Sequence, residues 1–262
     1  MEKKGQVTLF IVIGMILVLM FFLLIFFYDP AQTVEESEPA DFMGLENFIV
    51  NCLEESMLDA IYDVSNQGGW MYFPDNHVTY ERTSTRDVSV ALDFTRDDEN
   101  VSLDLDEIRN NIETLSENNI LFCVDDFNEY KQRGFNVSYG EPDVDLEIQD
   151  VRVIFDVDFP VNATFMGSRH SLSNFGSFRY PLMLGNFYNV YTFINEFVMD
   201  DQSQIPLNSL DFVNPMGITF HIHIESDVNS VIYHIVDYND EIGTERYIQG
   251  GKFRYVFAHK FE

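Results

Sequence analysis

The sequence predicts an α+β protein: an N-terminal transmembrane helix followed by a mostly antiparallel sheet domain that carries three amphipathic helices. Three observations lead there. The chain has one long uncharged apolar run near its start, three stretches with apolar residues at helical spacing, and several segments in which apolar and polar residues alternate.

The apolar run, Val7 to Phe27 (VTLFIVIGMILVLMFFLLIFF), carries no charge, and a threonine is its only polar side chain. About 22 residues of helix reach roughly 33 Å, which matches a hydrocarbon core of about 30 Å. A secretory signal would have an apolar region of only about 7 to 15 residues and then a small-residue cleavage site. Val7 to Tyr28 therefore reads as an anchor. Lys3 and Lys4 precede it, whereas Asp29, Glu35, Glu36, Glu38 and Asp41 follow. The positive-inside rule then keeps the short N-terminus in the cytoplasm and sends the rest of the chain outside. Residues 29–40 (DPAQTVEESEPA), with two prolines and several acids, form a linker, and residues 41–262 form the extracytoplasmic domain. If that domain has lobes, they divide near Gly134 into 41–134 and 135–262, although no linker-like composition marks the boundary.

Within the domain, Leu45, Phe48, Ile49, Cys52, Leu53, Met57, Ala60, Ile61 and Val64 recur at helical spacing, and Gly68 and Gly69 end the pattern. A second helix opens with Asp104 as cap and Glu107 three residues on, and runs through Ile108, Ile112 and Leu115, with Cys123 after its end. A third begins around Pro181 and runs to about Asp200, turning Phe187, Val190, Tyr191, Ile194 and Val198 inward. Strict alternation marks strands at Val88–Phe94, at Asp143–Ile148 and at Val151–Phe159, the last two forming a hairpin about Gln149 and Asp150. Ile218–Ile224, Ser230–Asp237, Gly243–Ile248 and Lys252–His259 read as further hairpin strands, the last pair turning at Gly250 and Gly251.

Charge narrows the function classes. There are 44 acidic residues against 15 basic ones, a formal net charge of −29. A nucleic-acid partner is excluded, because phosphate binding needs a basic footprint. Self-repulsion on this scale destabilises a fold unless counterions screen it, so the composition fits a cell surface facing high salt, a halophilic setting. An acidic metal-binding surface, or one that is only highly soluble, stays open as the alternative. The plentiful, patterned Phe, Tyr, Ile and Val exclude a disordered chain. The two cysteines, Cys52 and Cys123, both fall on the exported side, where an even count predicts a disulfide; two separate buried thiols are the alternative.

Candidate sites are few. Asn100-Val-Ser102, Asn136-Val-Ser138 and Asn162-Ala-Thr164 are sequons that offer glycan acceptors on an exported domain. A loop from Gly167 to Arg179 gathers Arg169, His170 and Arg179, a basic cluster able to hold an anionic ligand or a neighbouring subunit; its plain reading is a surface loop. His221 and His223 share a strand face, and a symmetric hairpin sets His234 opposite His221, but without further converging ligands no metal site is assigned. Asp237, Asn239 and Glu241 start like a calcium loop, yet Ile242 and Ile248 stand where glycine and glutamate are required. Looser cation binding at Asp97, Asp98 and Glu99 competes with simple solvated acids. No nucleophile elbow, metalloprotease motif or phosphate-cradling loop occurs, and no cofactor is implied.

Lys3-Lys4-Gly5-Gln6-Val7-Thr8-Leu9, followed by the apolar run, resembles the class III signal sequence of archaeal type IV pilin-like proteins. The resemblance implies cleavage between Gly5 and Gln6 by a prepilin-type peptidase, with the apolar helix retained as anchor or filament core. Phe10 stands where many pilins have the glutamate that pairs with a neighbouring subunit's N-terminus, a departure that bears on filament assembly. Asn51-Cys52, Gln67-Gly68-Gly69, Cys123 and Phe159-Pro160 also resemble features of uncharacterised archaeal surface proteins with this kind of anchor, a likeness that brings no activity. The expectation is a non-enzymatic, single-pass cell-surface protein acting in adhesion, attachment or envelope assembly with surface or pilus proteins. An anchored ligand-binding domain of sensory type is the alternative, and an extracellular enzyme stands behind it.

Overall fold

The structure is a computed structural model that describes residues 40–72, 77–81, 87–94, 102–200, 219–225, 230–236 and 253–260, together with Met15, Val18 and Met20. The rest of the proposed span 7–28 lies outside the described residues, as do Gly5, Gln6, the linker up to residue 39, Asn100 and the acidic stretches at 97–99 and 237–241. Among the described residues no helix is long and apolar enough to cross a membrane. Leu45–Glu262 forms one compact unit, separate from Met1–Gly44, and no division falls at Gly134.

Helix α1 (Ala40–Asn66) carries a stripe of Leu45, Ile49, Leu53, Met57, Ala60, Ile61 and Val64, every one fully withdrawn from water. It stops as the glycines predict. Gly68 and Gly69 take φ of 71° and 92°, and the Gly69 N–H donates to Val64 O at 2.8 Å, satisfying a carbonyl the helix would otherwise orphan. Glycine is also required for space, because a Cβ at Gly69 would sit 2.7 Å from Ile108 Cγ1.

Helix α2 (Leu105–Val124) begins with a complete capping box: Glu107 N–H donates to Asp104 Oδ1 at 2.7 Å and Asp104 N–H to Glu107 Oε2 at 2.9 Å. Its buried stripe, Ile108, Ile112, Ser116, Ile120 and Val124, advances by four each time. The helix extends past Leu115 far enough to hold Cys123 in its last turn, where the sequence placed that residue beyond the helix. Cys52 and Cys123 are joined, with Cα atoms 5.7 Å apart, so the bridge staples helix to helix. A 3-10 turn (Asp125–Phe127) follows, all three residues left-handed, and leads into the short α3 (Asn128–Gln132). Such backbone costs about 1 kcal/mol or more per residue. Phe127, buried against Phe48, Tyr139 and Phe159, and Asp126, which accepts from Lys131 at 2.8 Å and Tyr139 at 3.1 Å, hold it there.

The first sheet holds β3 (Asn136–Tyr139), β4 (Asp143–Ile148), β5 (Val153–Phe165) and β6 (Ser168–Tyr180). Strand β5 is its axis. One side pairs antiparallel with β4 and then with β3; the other pairs with β6 along its whole length. Pro160 sits where β5 changes partner, a place that asks no ladder hydrogen bond of its missing N–H, and its carbonyl accepts from Gly140 at 2.9 Å. Met166 and Gly167, with φ of 48° and 88°, make the two-residue turn into β6. The segment predicted as a loop from Gly167 to Arg179 is thus a strand. Its sequence hides this because both faces are polar or half-exposed, so the alternation that reveals β4 and β5 is missing.

The second sheet has the order β1 (His77–Glu81), β2 (Asp87–Phe94), β9 (Arg254–Lys260), β8 (Ser230–Val236), β7 (Thr219–Glu225), antiparallel except for β2 against β9. Strand β9 pairs with β8; the expected strand at Gly243–Ile248 and the Gly250-Gly251 turn lie outside the described residues. Helix α4 (Leu184–Asp200) starts three residues after Pro181. It lays Phe187 on Phe253 (5.3 Å) and Tyr191 on Phe257 (4.9 Å), while α1 reaches the same patch through Tyr62 and Phe253 (5.5 Å). In its first turn, Asn186 N–H donates to Asp150 O at 3.3 Å, and a Cβ on Gly185 would lie 2.6 Å from Gln149 O. Helix α4 thereby joins the second sheet to the β4–β5 turn of the first.

The bridge closes a long loop, its cysteines 71 positions apart in sequence. Replacing both cysteines by alanine should therefore lower unfolding free energy by about 4 kcal/mol. Denaturant titration of the oxidised protein and the double variant measures this; equal midpoints would show that α1 and α2 stay docked without the bond.

Candidate functional site

The strongest concentration of chemistry is the outer face of the first sheet. The β4–β5 register places Asp143 opposite Asp158 and Asp145 opposite Asp156, with Glu147 opposite Ile154. All five acids are exposed, because the residues between them, Val144, Leu146, Val153, Phe155 and Val157, point into the core. Directly opposed side chains on one face have Cβ atoms about 5 Å apart, so the face holds two repelling carboxylate pairs. Arg152 does not offset them. Its Nε donates to Gln149 Oε1, and Gln149 Nε2 donates to Glu147 Oε1 at 2.6 Å, so its hydrogen bond is made at the turn and not with the opposed aspartates.

Strand β6 completes the site with residues that sequence reasoning missed. Register slips between Asp156 and Asp158, and Gly176 takes φ of 80° while its N–H donates to Asn174 Oδ1 at 2.7 Å. The slip opens a shallow depression of about 180 Å³ lined by Asp143, Asp145, Asp156, Val157, Asp158, Asn174 and Gly176. Ser177 Oγ donates to Asp156 Oδ1. Among the described residues no three His, Cys, Asp or Glu side chains converge to hold a metal ion.

A second missed pair guards the sheet's edge. Val144 and Leu146 turn their N–H groups away from β5, toward α2, where Glu117 Oε1 accepts at 3.3 Å and Glu113 Oε1 at 2.8 Å. Partial burial raises the Glu113 pKa; the hydrogen bond from Leu146 opposes that shift and Asp145 adds to it. The signal was present as two glutamates four apart on a helix, but only the fold shows that the face they share meets a strand edge.

The other predicted residues do not assemble. Arg169 and Arg179 stand at opposite ends of β6, paired with Thr164 and Ile154, about 30 Å apart at the usual strand rise, and His170 pairs with Ala163. The basic cluster therefore does not form. His221 does face His234 across β7 and β8, while His223 faces Ile232; His234 is nearly buried. Asn136 and Asn162 are both exposed on the first sheet.

A further histidine was not anticipated. His259 on β9 is fully buried, and its Nε2 lies 3.2 Å from Asn195 Oδ1 on α4, between the rings of Tyr233 and Phe257. Burial pushes its pKa down to about 3. Burial likewise pushes the Tyr233 phenol up beyond its ordinary range.

Comparison with family models, with curated proteins and with solved structures finds no match to this chain.

Two tests follow from this geometry. The double change Asp145→Asn with Asp156→Asn keeps shape and the Ser177 acceptor but removes one opposed pair. It should raise stability by about 0.5–1 kcal/mol at 0.1 M KCl. The gain should shrink at 1 M, where the Debye length falls to about 3 Å; melting curves at both salts decide, and a gain independent of salt would remove the electrostatic cause. For His259, neither the folded nor the unfolded state binds the proton above pH about 6.5. Below that the unfolded chain takes it up and the folded chain does not, until about pH 3. Stability therefore falls with acidification across that window, by at most about 1.4 kcal/mol per pH unit from this group. His259→Gln should flatten this component of the pH profile, and an unchanged slope between pH 6.5 and 4 would show that the carboxylates account for all of it.

Proposed function

We propose that the chain is a non-enzymatic, pilin-like surface protein, held in the membrane by residues 7–28 with its domain outside the cytoplasm, acting in adhesion, attachment or envelope assembly. The observation that carries this reading is the Cys52–Cys123 bridge, since such bonds persist in oxidising compartments and are rare in the cytosol. The depression between the aspartates is half-open and ringed by four carboxylates, as suits contact with ions and water at an exposed surface better than capture of a small ligand. The partners of this reading are the membrane, a prepilin-type peptidase acting between Gly5 and Gln6, and other surface or pilus proteins.

Mass spectrometry of the protein isolated from its own cells should find Gln6 at the N-terminus. A chain that still begins at Met1 or Glu2 would sink the pilin-type processing.

A further inference from the structure

Two of the three sequons lie on one sheet and interlock. Asn136 on β3 pairs with Thr164 on β5, and Ser138 pairs with Asn162, so each asparagine stands opposite the hydroxyl residue of the other sequon. The strand period puts an asparagine and the residue two positions on along the same face. That face is the outer one: Asn136, Ser138 and Asn162 are exposed, while Val137, Val161 and Ala163 are buried. Once folded, a sugar on either asparagine would project into solvent without disturbing the core.

The two sites differ in what holds them. A transferase has to close around the amide and the hydroxyl two residues on, which a strand locked in its ladder does not permit. Strand β3 has four residues, pairs only with β5 among the described residues, and is bounded by Gly134, with φ of 96°, and by Gly140. Strand β5 has 13 residues with β3 and β4 on one side and β6 on the other. The Asn162 amide is also tied, its Oδ1 accepting from Ser171 Oγ at 2.7 Å, while the Asn136 side chain makes no hydrogen bond among the described residues.

We propose that Asn136 is an N-glycan acceptor and that Asn162 is the unmodified member of the pair. The proposal rests on the export reading above. The donor is a lipid-linked oligosaccharide: a bond forms from Asn136 Nδ2 to the anomeric carbon, and the bond from that carbon to the lipid phosphate breaks. The phosphate leaves with the electron pair, and the amide proton passes to a carboxylate of the transferase. A glycan seated on Asn136 stands about 7–8 Å from Asn162 on the sheet diagonal, close enough to exclude a second one.

Tryptic glycopeptide mapping, without reduction, of protein purified from the surface of its own cells tests this, because cleavage at Arg152 separates the two asparagines. The peptide with Asn136 should carry an oligosaccharide mass and the peptide with Asn162 none. Asn136→Gln should lose that mass completely, as should Ser138→Ala, which keeps the asparagine, whereas Asn162→Gln should retain it. A bare Asn136, or a glycan on Asn162, in protein whose Cys52–Cys123 bridge is intact overturns the proposal alone. A bare Asn136 together with free thiols removes the export reading and the proposal with it.

Discussion

The stripe of Leu45, Ile49, Leu53, Met57, Ala60, Ile61 and Val64 on α1 is withdrawn from water over five turns, and the other elements take their places from it. A face this long and this apolar has to be covered along its length, and no single partner covers it. Near its start Phe48 meets Phe127 and Tyr130; in the middle Cys52 is bonded to α2; near its end Tyr62 meets Phe253, and Gly68 lies against the backbone of β9. The helix meets the second sheet at its β9 end directly, and the first through Phe127, whose ring stacks on Phe159 of β5. Two further joints are fixed by close approach: glycine at 69 admits Ile108 of α2 and glycine at 185 admits the β4–β5 turn, where a methyl group would displace those atoms.

The first sheet is asymmetric because its two sides have different covers. On one, the N–H groups of β4 are taken by Glu113 and Glu117, so a helix closes the edge and spends two carboxylates doing so. On the other, β6 runs its full length as a polar, largely exposed strand. Between them β5 changes partner at Pro160, the one residue type whose missing N–H makes such a break costless in hydrogen bonds. The acids on the outer face are a consequence of this plan. With one face of β5 committed to the core, every second residue has to stand toward water, and two of those residues, Asp156 and Asp158, are aspartate.

The second sheet shows the opposite economy. Every residue of β8 is buried, so both of its faces are covered, and the polar groups that remain inside, His259 with Asn195 and the phenol of Tyr233, are packed among aromatic rings. Burial holds this histidine neutral down to about pH 3. The domain therefore combines a highly charged exterior with a buried histidine and phenol inside, and the two lie at different places in the fold.

By itself the sequence determined the elements whose burial is one-sided. The α1 stripe, the Asp104 and Glu107 cap, the glycine stop at 68–69 and the alternation of β4 and β5, with its opposed aspartates, are local patterns that a single helix or strand enforces on its own residues. The cysteine pair was legible from an even count. What only the tertiary structure decided were matters of partnership. Strand β6 carries no periodic signal because neither of its faces is fully buried, and only its pairing with β5 makes it a strand. That pairing draws Arg169 and Arg179 apart, although they are near in sequence, because ten residues of extended chain are far longer than ten residues of loop. The roles of Glu113, Glu117 and His259 likewise depend on what another element brings beside them, a long-range fact that no local spacing encodes.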